Sequence, residues 1–69
     1  MMKVYQKILE RLEEAGSRVT VPLDELLLIE GVKPYRISTY IWECKVKADA
    51  CVMPEKNGRK VVGYKIIKF

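Results

Sequence analysis

Histidine is absent from the 69 residues, and with it the commonest general base and metal ligand. Cysteine occurs twice, at Cys44 and Cys51, too few for the disulfide framework of a small secreted protein and, without histidine, a poor metal set. Reduced, partly buried thiols are the plain reading of the pair, and a disulfide is the alternative in a hyperthermophilic source, where intracellular disulfides occur. No apolar run approaches the roughly 18 residues needed to span a bilayer, and no charged leader precedes an apolar stretch. A soluble, cytoplasmic protein is therefore expected. Glycine-rich phosphate loops and pairs of a nucleophile with a base are also missing, and the adjacent acids Glu13 and Glu14 lie on a solvated helix face. Neither an enzyme nor a cofactor is expected.

Positive charge is present, and its placement is uneven. The net charge of +4 says little alone, although a basic protein favours phosphate or another anionic partner. Residues 1–22 carry four basic and three acidic side chains, residues 23–32 only Asp24, Glu25 and Glu30, and residues 33–69 nine basic against Glu43, Asp49 and Glu55. The second half thus holds +6. A chain of this length has room for one domain spanning residues 1–69, with one small core.

Periodicity divides that domain into six elements. Residues 3–15 place Val4, Ile8, Leu12 and Ala15 on one stripe with Tyr5 and Leu9 beside it, an amphipathic helix stopped by Gly16. Residues 17–22, Ser-Arg-Val-Thr-Val-Pro, alternate as a short strand in need of a partner. A second helix follows over 23–30, with Asp24 and Glu25 near its positive end and Gly31 as its stop. Pro34 then starts a third helix over 34–47, burying Ile37, Ile41, Cys44 and Ala48 on one face. The remainder reads as a hairpin over 51–67, with arms 51–56 and 59–67, an Asn57-Gly58 turn and Pro54 on an edge. Gly63, inside the return arm, marks a bulge or a close backbone approach.

The corner at "LLLIEGVKPYRISTYI", residues 26–41, has glycine between two helices and apolar residues placed to lock them: Leu26, Leu27, Val32, Ile37 and Ile41. This pattern resembles the helix-turn-helix of transcription regulators. With the helix and strand before it and the basic hairpin after it, nearly the whole chain resembles the winged helix-turn-helix family. "GRKVVGYKI" is similar to the return strand of the wing in response-regulator output domains and biotin-repressor-like domains. Small members of this kind include phage excisionases and regulators of plasmids and archaeal viruses. In one respect the sequence departs from the pattern: Leu27 stands where the family usually has a small residue, which leaves the docking angle of the second helix open.

The resemblance implies an α+β fold with three helices and a small antiparallel sheet, a recognition helix in the major groove of double-stranded DNA, and a wing on backbone or minor groove. Carried over by position, the outward residues of that helix are Lys33, Pro34, Tyr35, Ser38, Thr39 and Trp42, with Arg36 beside them. The same set remains once Ile37, Ile41 and Cys44 turn inward. Arginine bonds bidentately to guanine and tyrosine reaches sugar or phosphate, so Arg36 and Tyr35 lead as contacts. Lys56, Arg59 and Lys60 gather at the hairpin tip, where the plain alternative is a charged edge that discourages aggregation. Packing is the plain alternative for Tyr35, Tyr40, Trp42 and Tyr64.

Three functions fit the sequence. A sequence-specific DNA-binding transcription regulator leads, with a nucleoid- or viral-DNA-associated location. An excisionase-like factor that bends DNA at adjacent sites has the same fold. A winged-helix module that binds protein is the third, disfavoured by the basic recognition helix. Homodimerisation, with Leu9 or Tyr5 supplying a patch, stays open.

Overall fold

A computed structural model describes residues 2–69. The chain folds as a small α+β domain of three helices and a three-stranded antiparallel sheet. Helix α1 covers Val4–Ala15. Its start is tied by the Gln6 side-chain oxygen, which accepts from the Lys3 backbone N–H at 2.7 Å, and its end by Gly16 at φ +102°. Tyr5, Ile8 and Leu12 are buried, while Val4, Leu9 and Ala15 flank them. Spacings of three and four put these side chains on one face, as the sequence predicts.

The strand expected over 17–22 is shorter than its alternation suggests. Strand β1 is Val21–Pro22. Arg18 adopts φ +65°, which breaks the extended ladder upstream, and Val19 faces solvent. The preceding residues still follow the sheet, since the Arg18 N–H donates to the Ile66 carbonyl at 2.7 Å and Ser17 Oγ accepts from the Lys68 N–H at 2.8 Å.

Helix α2 covers Leu23–Leu27, three residues short of its expected end. Glu30 lies four residues after Leu26, so a continued α-helix would carry its carboxylate onto the face that Leu26 buries. The chain instead tightens into successive i→i+3 bonds, Leu28 N–H to Glu25 and Ile29 N–H to Leu26, both at 3.2 Å. Leu28 is turned out to solvent and Ile29 in toward the core. Gly31, at φ +90°, completes the corner, and a Cβ there would stand 3.2 Å from Val4 Cγ2 on α1.

The third helix begins in two steps. Pro34–Arg36 form a 3₁₀ turn and α3 runs over Ile37–Lys47. Lys33 is extended, as a residue before proline must be. Tyr40, Ile41 and Cys44 are buried and Ile37 is packed against them, whereas Ala48, expected on that face, is exposed. The cause is Asp49, whose φ of +53° ends the helix and turns the chain back, with the Ala50 N–H donating to the Cys44 carbonyl at 3.1 Å. Aspartate accepts this conformation more readily than most residues. Cys44 and Cys51 are both free thiols, and the buried Cys44 Sγ donates to the Tyr5 carbonyl at 3.3 Å, joining α3 to α1.

Strands β2, Val52–Asn57, and β3, Lys60–Ile66, form the hairpin. Its turn lies one residue later than Asn57-Gly58: Asn57 pairs with Lys60, leaving Gly58 and Arg59 as the loop. Gly58 has φ +66° and Arg59 does not share the positive region, the pattern of a turn with glycine in the first central position. The ladder skips Val62, because Glu55 pairs with Gly63 and Lys56 with Val61. Beside that bulge, Gly63 pairs with Pro22, and a Cβ on it would collide with the Val21 carbonyl and lie 2.9 Å from Thr20 Cγ2. Gly63 thus provides the close approach its position suggested, with the bulge at its neighbour Val62. Strand order is β1-β3-β2, which leaves Pro54 on an edge where its missing N–H is harmless.

The core forms where one face of this sheet meets the helices. Ile8, Leu12 and Leu26 are fully buried with Val21, Val52 and Cys44 around them, each large aliphatic contributing about 1.5–3 kcal/mol. Among the described residues no helix is long and apolar enough to cross a membrane.

Candidate nucleic-acid interface

The predicted contact residues fall into two exposed groups. Lys33, Pro34, Tyr35 and Arg36 form the entry to α3, and Ser38 and Thr39 occupy its first turn; all six are exposed, Tyr35 to 80%. Their outward direction follows from what turns inward, since Ile37, Tyr40, Ile41 and Cys44 occupy the buried side. Arg36 is steadied by its neighbour one turn on, its guanidinium lying 5.9 Å from the centroid of the Tyr40 ring, a cation–π distance. The second group, Lys56, Arg59 and Lys60, surrounds the Gly58-Arg59 turn at the hairpin tip and is exposed throughout.

A groove of about 230 Å³ connects the helix with the hairpin. Ser38, Ile41, Trp42 and Lys45 line it from α3, and Pro54, Val61 and Tyr64 from the strands. Ser38 is the predicted contact residue that this arrangement brings to the hairpin. Trp42 departs from a packing role, being 57% exposed, whereas Tyr40 and Tyr64 are both 7% exposed. Burial raises the Tyr64 phenol above its ordinary value, so it stays neutral beside the groove. Lys45 was not singled out from the sequence. Its signal was available, because Ser38, Trp42 and Lys45 recur at spacings of four and three, which makes one stripe of a helix.

Ion pairing sharpens the electrostatics. Lys47 meets Glu43, Lys65 meets Glu55 and Lys68 meets Glu13, each at 3.0 Å, while Arg11 meets Glu25 at 2.8 Å. Among the described residues, the basic side chains of 33–69 left without an acidic partner are Lys33, Arg36, Lys45, Lys56, Arg59 and Lys60. Five of these six are residues that the sequence assigns to DNA contact. The sixth is Lys45. The acids of α3 and of the hairpin are consumed by lysines outside this set, so nothing on these elements neutralises it.

The helix-turn-helix corner is built differently from the expectation. Leu26 and Ile41 are buried and Val32 and Ile37 pack against the core, but α3 meets chiefly α1, and α2 lies against β1 and β3. Leu27 is half-buried at the rim. Tyr5, considered for a dimer patch, is buried in the core, and Leu9 lines an open cleft of about 500 Å³ with residues of the α3–β2 connection and the end of β3.

Compared with protein-family models, with curated proteins and with solved structures, the chain has no significant match.

Proposed function

We propose that the protein is a sequence-specific double-stranded DNA-binding regulator of winged helix-turn-helix type, with α3 in the major groove and the β2–β3 hairpin as its wing. The observation that carries this reading is the set of six cations without acidic partners: Lys33 and Arg36 at the entry to α3, Lys45 on α3, and Lys56, Arg59 and Lys60 at the hairpin tip. Clusters of exposed lysines and arginines without acidic partners are what a phosphate backbone attracts. Further support comes from the order helix, strand, helix, helix, strand, strand, the order that the family resemblance implies.

The division of labour follows from the chemistry of each group. Eleven residues of α3 span roughly 16 Å at about 1.5 Å per residue, enough to lie in a major groove about 12 Å wide. Arg36 reads guanine through paired N–H donors, and Tyr35, Ser38 and Thr39 contact neighbouring bases or phosphates. Lys56, Arg59 and Lys60 hold the flanking backbone or enter the minor groove. Phosphate contacts set the register and base contacts set the sequence.

The test is retardation of duplex fragments at low salt, followed by selection of preferred sequences. Arg36→Ala is expected to cost about 1–3 kcal/mol on the preferred sequence and much less on random DNA. Absence of any retarded complex at low salt refutes the reading.

A further inference from the structure

Trp42 stands on the outward side of α3, and the groove it lines has a chemistry that suits more than the edges of a paired duplex. The sequence has one tryptophan, and it stands 57% exposed on α3, facing the space it shares with Pro54 and Val61 of the hairpin. Beneath them Ile41 and Tyr64 are buried, so the groove has an apolar floor and one aromatic wall. Lys45, without an acidic partner among the described residues, stands at the same groove one turn beyond Trp42.

A paired duplex offers such a groove little. Its base faces are covered by stacking, and only edges reach the solvent. An unpaired base has free faces, and stacking on an aromatic side chain with a cation on the adjoining phosphate is how proteins hold single strands. The groove, at about 230 Å³, is open enough for one flat ring. Lys45 in the groove, with Lys56, Arg59 and Lys60 at the tip of the same hairpin, selects an anionic occupant over an apolar peptide.

We propose that the groove between α3 and the hairpin is a stacking site for an unpaired nucleobase held against Trp42, with Lys45 on its phosphate. This rests on the DNA-binding reading and adds a preference to it: duplexes carrying an unpaired nucleotide, or adjoining a single strand, bind more tightly than fully paired ones.

Because Trp42 is the only tryptophan, its emission reports the site directly. The protein is titrated with a labelled oligo-dT strand, a fully paired duplex and the same duplex with one bulged thymidine. Label anisotropy measures binding and tryptophan emission measures stacking. The expected result is quenching by the strand and the bulged duplex, and anisotropy without quenching for the paired duplex. Trp42→Ala should lose the preference for the bulge by roughly 5- to 150-fold, and Trp42→Phe should restore part of it. Equal binding of paired and bulged duplexes with unchanged emission overturns the stacking site and leaves the DNA-binding reading standing. Emission that changes with protein concentration alone also overturns it, because the groove is then a contact between copies. No anisotropy change on any DNA removes both.

Discussion

Replacing Lys56 and Lys60 together by alanine tests whether the unpaired cations are the ones that meet DNA. Each phosphate neutralised by a protein cation releases condensed counterions, giving a slope of about −0.9 in log affinity against log salt. If all six unpaired cations make contact, the wild-type slope is about −5.4, and raising salt from about 50 to about 200 mM weakens binding roughly 1,800-fold. Removing two of them leaves a slope of about −3.6 and a loss of roughly 150-fold over the same range. The control is Lys47→Ala with Lys68→Ala, which lowers the net charge equally but removes cations already held at 3.0 Å by Glu43 and Glu13. Its slope should match the wild type, even where its absolute affinity is lower. The assay is fluorescence anisotropy of a labelled duplex across a potassium chloride series. Two double variants that flatten the slope by the same amount would refute the reasoning, because binding would then respond to total charge and not to which cations are free.

Further outcomes follow from the packing. Gly63→Ala drives a Cβ into the Val21 carbonyl and should cost about 3 kcal/mol or more in urea unfolding, the upper range of overpacking. Gly58→Ala meets open space and only the strain of φ +66°, a cost of about 1–2 kcal/mol, so equal losses would contradict the close approach of β1 to β3. A thiol reagent at neutral pH should label Cys51 and spare Cys44 until the protein unfolds, since burial, with Glu43 adding to it, pushes the Cys44 thiol up to about 11. Because that value lies above the ordinary 9.0, the neutral buried thiol stabilises the fold fully below pH 9 and ceases to do so by about pH 11. Urea unfolding across this window should show a loss of roughly 2–3 kcal/mol, smaller in Cys44→Ala, with the buried Tyr64 phenol, also raised, adding in the same direction.

Some of this molecule could be read from its residues, and the failures have identifiable causes. Helix α1 was plain because four apolar residues at helical spacing and a terminal glycine all agree. The hairpin was plain in kind but not in register. Asn57-Gly58 and Gly58-Arg59 both make two-residue loops, and which one forms is tied to the bulge at Val62 and to Gly63 beneath Val21, a tertiary constraint that local sequence does not contain. The early end of α2 keeps Glu30 off the face that Leu26 buries, and the end of α3 rests on an aspartate in a position that glycine more often fills. At the surface, all nine residues assigned from sequence are exposed, since exposure follows from helical phase and a turn signal. The groove was hidden because it requires α3 and the hairpin to lie side by side. Ion pairing was hidden too: Glu13 lies 55 residues from Lys68, and no spacing rule connects them.

The central position of β3 bears on how the protein is made. Both strands that pair with it, β1 and β2, precede it in the chain, so each leaves the ribosome with its hydrogen-bonding edge unmatched. At about 5–20 residues per second, the residues between Pro22 and Lys60 take roughly 2–8 s to emerge. Throughout that interval Val21 and the apolar face of α1 have no sheet to close against. The sheet can therefore close only once its last strand has emerged, and until then the apolar faces it will cover stay open to solvent or to a chaperone.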